Sequence, residues 1–460
     1  MNSLKIVQVD ALTQLFNRAG WLAAVQKNIE GATETNLVDV KALLFIDLDG
    51  FKWVNDSLGH DAGDLLLQKV SRLIESCLVL EGEQTDIAGR FGGDEFVVWV
   101  QHSDSIAKLD ILANAIVKKL SQPICLNDAR CDESTEVEIG ASIGIARMPQ
   151  DAQEIEGLLK YADLAMYRAK HSGRNQVVYY KPEMMRQIEW RRQVQIQLRK
   201  ALKQQQLMLD YLPVFDSKNQ EVVALEAILN LKNCPDLMGM DVMQLMSIAE
   251  ASQVGLVLGE WMVSEVIRFN RQLVQAGVEV ACSIEIRPSH FQQKEFVDWL
   301  SERLDECELP PELLIVSLSE RCLNSQRFSV LNHLTALSHL GVEIAIRSFG
   351  EGNWSLLRLH DWPIDQLNLS SRFVREMTSN RTMSAMTRFL IEMGLMLNKK
   401  VVACGVLSAE QIAFLNSLGC FLVQGPYLSE ALSAEDMEVH LLQNRVENMA
   451  EFSPYYGEEE

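Results

Sequence analysis

The stretch FIDLDGFKWVND, residues 45–56, decides how the first part of this 460-residue chain is interpreted. The apolar run over 42–48 predicts a buried strand, and Asp47 and Asp49 stand at its end. Carboxylates in such a position are costly unless a cation compensates them, and a divalent metal is the natural candidate. The stretch therefore predicts a metal site at a strand end.

A second stretch, RFGGDEFVVWV at 90–100, contributes another acidic pair. Gly92 and Gly93 predict a tight turn between two short strands, with Asp94 and Glu95 beside it. Glycines allow a backbone to approach a ligand closely, and oxygen ligands favour magnesium over zinc. The surrounding pattern predicts helices over 61–77 and 155–170 and strands over 137–146 and 176–180.

Charge and composition exclude several classes of function. The formal net charge is −21, from 63 acidic and 42 basic residues, which argues against a broad grip on nucleic acid phosphates. The nine cysteines are scattered and contain no CxxC pair, which argues against a zinc site or a disulfide framework. The amino terminus has no secretion signal, and no apolar run approaches the ~18 residues of a membrane span. These features predict a cytoplasmic protein.

The second half of the chain has a different pattern. Residues 182–206 are charged and glutamine-rich, which predicts a linker helix. Beyond residue 207, strand-forming runs alternate with helical stretches, which indicates a parallel sheet or an α/β barrel. The predicted strands lie at 278–286, 313–318, 342–346 and 401–403. The predicted domains are 1–181, the linker 182–206, a second domain at 207–445 and an acidic tail at 446–460.

Three more motifs accompany the two acidic stretches: DALTQLFNR at 10–18, GHDAGD at 59–64 and YRAKHSGRN at 167–175. In this order the five motifs resemble the GGDEF family of diguanylate cyclases, except that Gln14 stands where the family has a glycine. The resemblance implies a nucleotidyl-cyclase-like α+β domain with a central, mostly antiparallel sheet flanked by helices. It also implies the condensation of two GTP molecules into cyclic di-GMP and pyrophosphate.

The resemblance assigns roles to individual residues. It implies that Asp47 and Asp94 ligate Mg²⁺ or Mn²⁺ together with the Leu48 carbonyl, and that Glu95 lies beside the reacting ribose hydroxyl. Asp47, Asp94 and Glu95 are thus the expected catalytic residues. The expected GTP contacts are Asn55 and Asp64 to guanine, Lys52, Lys170 and Arg174 to the triphosphate, and Phe51. Because the attacking 3′-hydroxyl comes from a GTP on a second copy, the resemblance implies a homodimer.

Simpler interpretations exist for each residue taken alone. The four acids could be solvated loop residues, Asn55 and Asp64 could be helix caps, and basic residues at a helix end suit its dipole. The ordered pattern of five motifs favours the nucleotide site. One departure concerns regulation, because residues 83–86, EQTD, lack the arginine of the family's RxxD product-binding motif. A glutamate there would repel phosphate, which predicts no product inhibition through that site.

Residues 207–442 resemble the EAL family, α/β barrels that hydrolyse cyclic di-GMP with two metals. The motifs are LEAILNL at 225–231, IAEASQVGLVLGEW at 248–261 and QGPYLSEAL at 424–432. Glu226 matches a family ligand, whereas Glu285, Ser317, Arg347, Ser348, Asn368 and Cys404 replace the other metal or catalytic residues. Because Arg347 would repel cations, we expect no phosphodiesterase activity. Asn230 and Leu212 also replace ligand-contacting residues, which disfavours a cyclic di-GMP receptor.

The leading hypothesis is a cyclase whose degenerate barrel serves regulation or dimerisation and meets an unidentified protein partner. The alternative is a catalytically silent regulatory protein that responds to GTP or cyclic di-GMP. A third interpretation, a phosphodiesterase controlled by GTP, would require metal ligands that the barrel lacks.

Overall fold

The computed structural model describes residues 8–31, 41–81, 86–101, 106–126, 135–323, 327–352 and 356–451. The chain divides into two compact units, Met1–Trp190 and Arg191–Glu460. Residues 83–85 of the EQTD sequence and residues 452–460 of the predicted acidic tail lie outside the described residues.

The first unit is built around a six-stranded sheet. Its elements are β1 (Phe16–Asn17), α1 (Arg18–Gly31), β2 (Lys41–Asp49), α2 (Phe51–Leu58), α3 (His60–Glu81), β3 (Ile87–Gly92), β4 (Glu95–Val100), α4 (Ile106–Leu120), β5 (Ile124–Leu126), β6 (Thr135–Val137), β7 (Gly140–Met148), α5 (Ile155–His171) and β8 (Val177–Tyr179). The strand order is β1-β3-β4-β2-β7-β8, and β5 pairs with β6 separately.

The sheet is mostly antiparallel, as predicted. Strand β2 runs antiparallel to β4 and β7, and β3 runs antiparallel to β4, while the two edge pairs, β1–β3 and β7–β8, are parallel. Because side chains alternate along a strand, Leu44 and Ile46 enter a core with α3 and α4. Leu43 and Phe45 enter a second core with α1 and α5. Burial on both faces explains the continuous apolar run of β2.

Helix α5 crosses β7 at very short range because Gly144 has no side chain. A Cβ at Gly144 would lie 2.0 Å from the carbonyl oxygen of Ala162 and 2.2 Å from the amide nitrogen of Met166. This approach sets the height of α5 above the sheet. It therefore fixes where the last turn of α5, which carries Lys170, meets the end of β2.

Helix α6 (Pro182–Lys203) corresponds to the helix predicted over 182–206. In its first half, Met184 and Met185 pack against the core of the first unit. In its second half, Val194, Leu198 and Ala201 belong to the core of the second unit. Within the described residues, no helix is long and apolar enough to cross a membrane.

The second unit is an eight-stranded barrel, which confirms the predicted α/β barrel. Its elements after α6 are β9 (Met208–Asp216), β10 (Glu221–Asn230), α7 (Val242–Glu250), α8 (Gln253–Gln275), β11 (Ala281–Ile286), α9 (Pro288–Phe291), α10 (Phe296–Glu306), a 3₁₀ helix (Pro311–Leu313), β12 (Leu314–Leu318), α11 (Glu320–Leu323), α12 (Arg327–Leu340), β13 (Glu343–Phe349), α13 (Leu356–Asp361), β14 (Gln366–Leu369), α14 (Ser371–Glu376), α15 (Arg381–Met396), β15 (Lys400–Cys404), α16 (Ala409–Ser417), β16 (Leu422–Gln424), β17 (Leu432–Ser433) and α17 (Ala434–Glu451).

Strands β10 to β16 form a parallel series, and β9 closes the barrel by pairing antiparallel with both β10 and β16. Parallel strands bring their carboxyl ends to one face of the barrel, so residues at those ends converge. The short β17 adds to the outer edge of β9.

Candidate active site

The ladder between β2 and β4 places two predicted catalytic residues side by side. Asp47 of β2 lies opposite Glu95 of β4 in the antiparallel register. Asp94 is in the turn that joins β3 to β4, where Gly92 and Gly93 adopt positive φ of 147° and 52°. Positive φ is readily available to glycine, so the sequence folds here into the hairpin that presents the acidic pair.

Asp47 is the most perturbed carboxyl group of this site. Its side chain is only 7% exposed, and the Lys170 ammonium lies 2.6 Å from its Oδ2 atom. Burial raises the pKa of Asp47 to about 6, with the Asp94 and Asp49 carboxylates adding to the effect and Lys170 opposing it. A buried acid with a pKa near neutrality and a cation on it is a functional-site signature.

Glu95 lies in an acidic environment to which α5 contributes. Burial raises its pKa, the carboxylates of Asp163 and Asp94 raise it further, and Lys170 opposes them. Burial also raises the pKa of Asp163, again opposed by Lys170. Asp163 was not identified from the sequence, although its spacing of two helical turns from Lys170 places both on one face of α5.

The predicted metal ligands suit a hard cation. Among the described residues, no group of three or more His, Cys, Asp or Glu side chains is arranged to hold a metal ion. The predicted donors are two carboxylates and the Leu48 carbonyl, an all-oxygen set of the kind magnesium prefers with substrate phosphates completing its shell. The Lys170 ammonium at the Asp47 carboxylate shows that a cation is accommodated there.

Asp49 is compensated by protein groups, so the cation that the sequence predicted for it is not required. Both carboxylate oxygens accept a hydrogen bond from the Ser142 hydroxyl, at 3.0 and 3.1 Å, and Oδ2 accepts the Asn175 backbone N–H at 2.9 Å. The Arg174 Nε atom lies 3.9 Å from Oδ1. Asp49 thus connects the ends of β2 and β7 with the turn after α5.

The residues expected to contact guanine lie around the junction of α2 and α3. Phe51 packs against the core, while Lys52 is exposed. The Asn55 side chain lies directly over Gly63, where a Cβ would be 1.9 Å from Asn55 Oδ1. Asp64 is the next residue of α3 and is exposed. The glycine of the GHDAGD motif therefore makes room for the Asn55 amide.

Arg90 connects the hairpin to the DALTQLFNR motif, a contact that the sequence did not reveal. Its Nε and Nη2 atoms donate to the Gly93 carbonyl at 3.1 and 2.8 Å, and Nη1 donates to Asp10 Oδ1 at 3.1 Å. Burial raises the pKa of Asp10, but hydrogen bonds from Thr13 and Arg90 outweigh it and lower the pKa overall. The hydrogen bonds of Arg90 to Gly93 and Asp10 therefore hold the turn beside Asp94 in place.

The carboxyl ends of the barrel strands carry a chain of ion pairs. Arg347 of β13 lies 3.0 Å from Glu226 of β10 and 3.0 Å from Glu285 of β11. Arg287 continues the chain, at 2.9 Å from Glu285 and 2.7 Å from Glu250. Burial lowers the pKa of Arg347, but the attraction of Glu226 and Glu285 outweighs burial and raises it. The guanidinium is firmly charged.

The other substituted positions carry no carboxylate that could replace a metal ligand. Ser317 is buried in β12, Asn368 of β14 accepts a hydrogen bond from Gln366 Nε2 at 2.8 Å, and burial raises the pKa of the Cys404 thiol. Asn230, at a predicted ligand-contacting position, donates to Asp210 Oδ2 at 2.7 Å.

Comparison with known proteins supports both domain resemblances. The sequence matches the diguanylate cyclase GGDEF domain over residues 7–176 and the EAL domain over residues 195–431. The chain belongs to the tandem GGDEF–EAL family. Enzymes of these two families use divalent metal ions, and a GGDEF domain takes GTP as substrate.

Two curated relatives and one solved structure illustrate the similarity. The bifunctional diguanylate cyclase/cyclic di-GMP phosphodiesterase MucR of Pseudomonas aeruginosa is 33% identical over 93% of this chain and 61% of its own length. Signaling protein YkoW of Bacillus subtilis is 30% identical over 95% of this chain and 53% of its own length. The PaMucR phosphodiesterase structure with c-di-GMP is 29% identical, has a TM-score of 0.50 and covers 53% of this chain and 99% of its own. The chain thus spans less than two thirds of these curated relatives.

Proposed function

We propose that the first unit is a diguanylate cyclase. The observation that carries the proposal is the Asp47–Glu95 pair, held opposite each other by the β2–β4 register and facing Lys170 from α5. Asp94 adjoins the pair at the hairpin turn, and the pKa of Asp47 is raised to about 6. Acids grouped around one cation suit a site that binds a metal and a triphosphate together.

In this proposal Asp47, Asp94 and the Leu48 carbonyl hold Mg²⁺ or Mn²⁺, which neutralises triphosphate charge and polarises the α-phosphate. Lys170, whose ammonium lies 2.6 Å from Asp47 Oδ2, would bind the triphosphate together with Lys52 and Arg174. Positioning then does most of the catalytic work, because in-line attack on phosphorus needs alignment more than covalent chemistry.

Recognition of the base falls to Asn55 and Asp64, whose amide and carboxylate match the donor and acceptor edge of guanine. The Phe51 ring lies near Gly63 as well, since a Cβ there would be 3.4 Å from its Cζ atom. Glu95 faces the 3′-hydroxyl that attacks. That hydroxyl belongs to a GTP held by a second copy of the chain, so a homodimer is the active assembly.

For the barrel we propose a regulatory or dimerising role without hydrolysis of cyclic di-GMP. Arg347 places a guanidinium 3.0 Å from both Glu226 and Glu285, so a fixed positive charge already compensates the carboxylates that would otherwise be available to a divalent cation. MucR is named as a bifunctional enzyme. Phosphodiesterase activity is therefore the alternative that experiment must test directly.

The test is incubation of the purified full chain with GTP and Mg²⁺, with chromatographic separation of the products. The parent should form cyclic di-GMP, and the double variant Asp94→Ala, Glu95→Ala should form none. Glu75→Ala, which removes an exposed acid from α3 outside the motifs, should behave as the parent. No product from a folded, dimeric parent would favour a silent regulatory protein instead. A parallel incubation with cyclic di-GMP and divalent cations should yield no linear dinucleotide, and its appearance would refute the proposal for the barrel.

A further inference from the structure

We infer that Asp49 is a positioning residue for triphosphate binding, because its carboxylate holds the turn that carries Arg174 against the ends of β2 and β7. The inference rests on the proposed cyclase function. The family resemblance assigns Asp49 no role as a metal ligand or GTP contact, yet its side chain is only 8% exposed and ends among donors from two other elements.

Asp49 accepts hydrogen bonds from two other parts of the first unit. Ser142, which is fully buried in β7, donates its hydroxyl to the carboxylate, and the Asn175 backbone N–H donates to Oδ2 at 2.9 Å. Charge-assisted hydrogen bonds to a backbone N–H are stronger than neutral ones. Asp49 is therefore able to fix the backbone immediately after Arg174.

These hydrogen bonds hold an unusual backbone conformation in the turn after α5. Arg174 and Asn175 have positive φ of 61° and 48°. Left-handed backbone costs most non-glycine residues, Arg174 among them, roughly 1 kcal/mol, whereas asparagine adopts it more readily. Two consecutive residues in this region need an anchor, and Asp49 supplies it at the second.

The surroundings of the Asp49 carboxylate also hold the turn in place. The Asn175 side-chain oxygen accepts the Ser121 hydroxyl at 2.7 Å, so the turn is tied on a second side. Gly140 lies opposite Asp49 in the β2–β7 register, and a Cβ there would be 3.1 Å from Asp49 Oδ2 and 3.2 Å from the Asn175 Cβ. The absence of a side chain at Gly140 allows the carboxylate and the turn to meet.

Positioning and simple electrostatics predict opposite effects when the charge of Asp49 is removed. A carboxylate beside a triphosphate repels it, so a purely electrostatic role predicts that Asp49→Asn binds GTP more tightly. A positioning role predicts weaker binding, because Arg174 is released from its place. The sign of the change therefore separates the two roles.

The experiment measures binding of a non-reactive methylene analogue of GTP, with Mg²⁺, to the full chain by calorimetry. Asp49→Ala should weaken binding about tenfold, a loss typical of one misplaced charged contact. Asp49→Asn should fall between Asp49→Ala and the parent, because its amide oxygen can still accept the Asn175 N–H. Glu75→Gln, which removes an exposed charge from α3 outside the motifs, should match the parent.

Two further readouts separate positioning from a general loss of structure. Hydrogen exchange at the Asn175 amide should accelerate in both Asp49 variants, while the thermal midpoint of the unit stays close to that of the parent for the isosteric Asp49→Asn. In turnover assays KM for GTP should rise with kcat nearly unchanged. Ser142→Ala, which removes one donor and keeps the charge, should weaken binding in the same direction by a smaller factor.

The outcomes distinguish this inference from the function on which it rests. If the parent chain does not bind the analogue, the cyclase proposal fails and this inference fails with it. If the parent binds and Asp49→Asn binds equally or more tightly, positioning by Asp49 is refuted while the cyclase proposal stands.

Discussion

Replacing Arg347 by alanine removes the guanidinium that contacts both Glu226 and Glu285 at 3.0 Å. Breaking a fully buried ion pair costs about 3–5 kcal/mol, because the remaining charge is left uncompensated. Arg347 is 35% exposed and Glu285 keeps its contact with Arg287, so water and the second arginine reduce the loss. We expect the free energy of unfolding of the barrel to fall by about 2 kcal/mol.

For a unit of this size a loss of that magnitude lowers the thermal midpoint by about 4–8 °C. The assay is calorimetric unfolding of the full chain, with hydrogen exchange in β10 and β13 identifying the barrel transition. The control is Arg388→Ala, since Arg388 and Glu392 are 3.8 Å apart and about half exposed. That pair should be worth under about 0.5 kcal/mol.

Unfolding of the Arg347→Ala variant with added divalent ions tests whether the guanidinium replaces a cation. Without Arg347, Glu226 and Glu285 lose the guanidinium between them, and Glu285 keeps only Arg287. Millimolar Mg²⁺ or Ca²⁺ should therefore raise the midpoint of the variant while leaving the parent unchanged. The reasoning is refuted if the variant is as stable as the parent. It is also refuted if divalent ions stabilise both proteins equally.

Three further predictions concern the first unit. The raised pKa of Asp47, about 6, predicts that magnesium-dependent turnover falls as pH drops through about 6, because the protonated acid cannot ligate metal. Excess Mg²⁺ should move the midpoint of this pH profile lower, and a flat profile would contradict the role of Asp47 as a metal ligand. Gly63→Ala should raise KM for GTP about tenfold, since the new methyl group meets Asn55 Oδ1; a KM equal to that of the parent would remove Asn55 from base recognition. Gly144→Ala should destabilise the unit by about 3 kcal/mol or more in denaturant unfolding, because α5 must leave the carbonyl of Ala162, and an unchanged midpoint would disprove this close contact.

The sequence predicted β2, α3, the β3–β4 hairpin, β7, α5 and β8, but it predicted neither α1 and α4 nor the partners within the site. Alternating burial and an apolar run are local signals, so β2 and the β3–β4 hairpin were predicted close to their observed bounds. The pairing of Asp47 with Glu95 depends on the register between β2 and β4, which local pattern does not fix. The contact of Lys170 with Asp47 depends further on how closely α5 approaches the sheet.

Gln14 shows how a departure from a family pattern becomes interpretable only with backbone geometry. It stands where the family has a glycine, and its φ is 64°, in the region that favours glycine. Its side-chain amide donates to the Ala11 carbonyl at 2.9 Å, which supports the turn locally. The family's turn is thus kept at an energetic cost that a glycine would avoid.

Each substitution at a family ligand position of the barrel could be identified from the sequence, but the contacts between these residues could not. Arg347 was predicted to repel cations, whereas its contacts with Glu226 and Glu285 depend on how β13 lies relative to β10 and β11 in the barrel. The contact between Arg287 and Glu250 joins the end of β11 to α7. No short sequence motif signals such a contact between separate elements.

Helix α6 has a practical consequence for dissecting the chain. Val194, Leu198 and Ala201 are almost fully buried in the barrel core. All three precede residue 207, where the sequence analysis placed the start of the second domain. Burial of a side chain such as valine or leucine is worth about 1.5–3 kcal/mol. A barrel fragment cut at residue 207 would expose a hydrophobic groove and favour aggregation, whereas one that begins before Val194 keeps its own core closed.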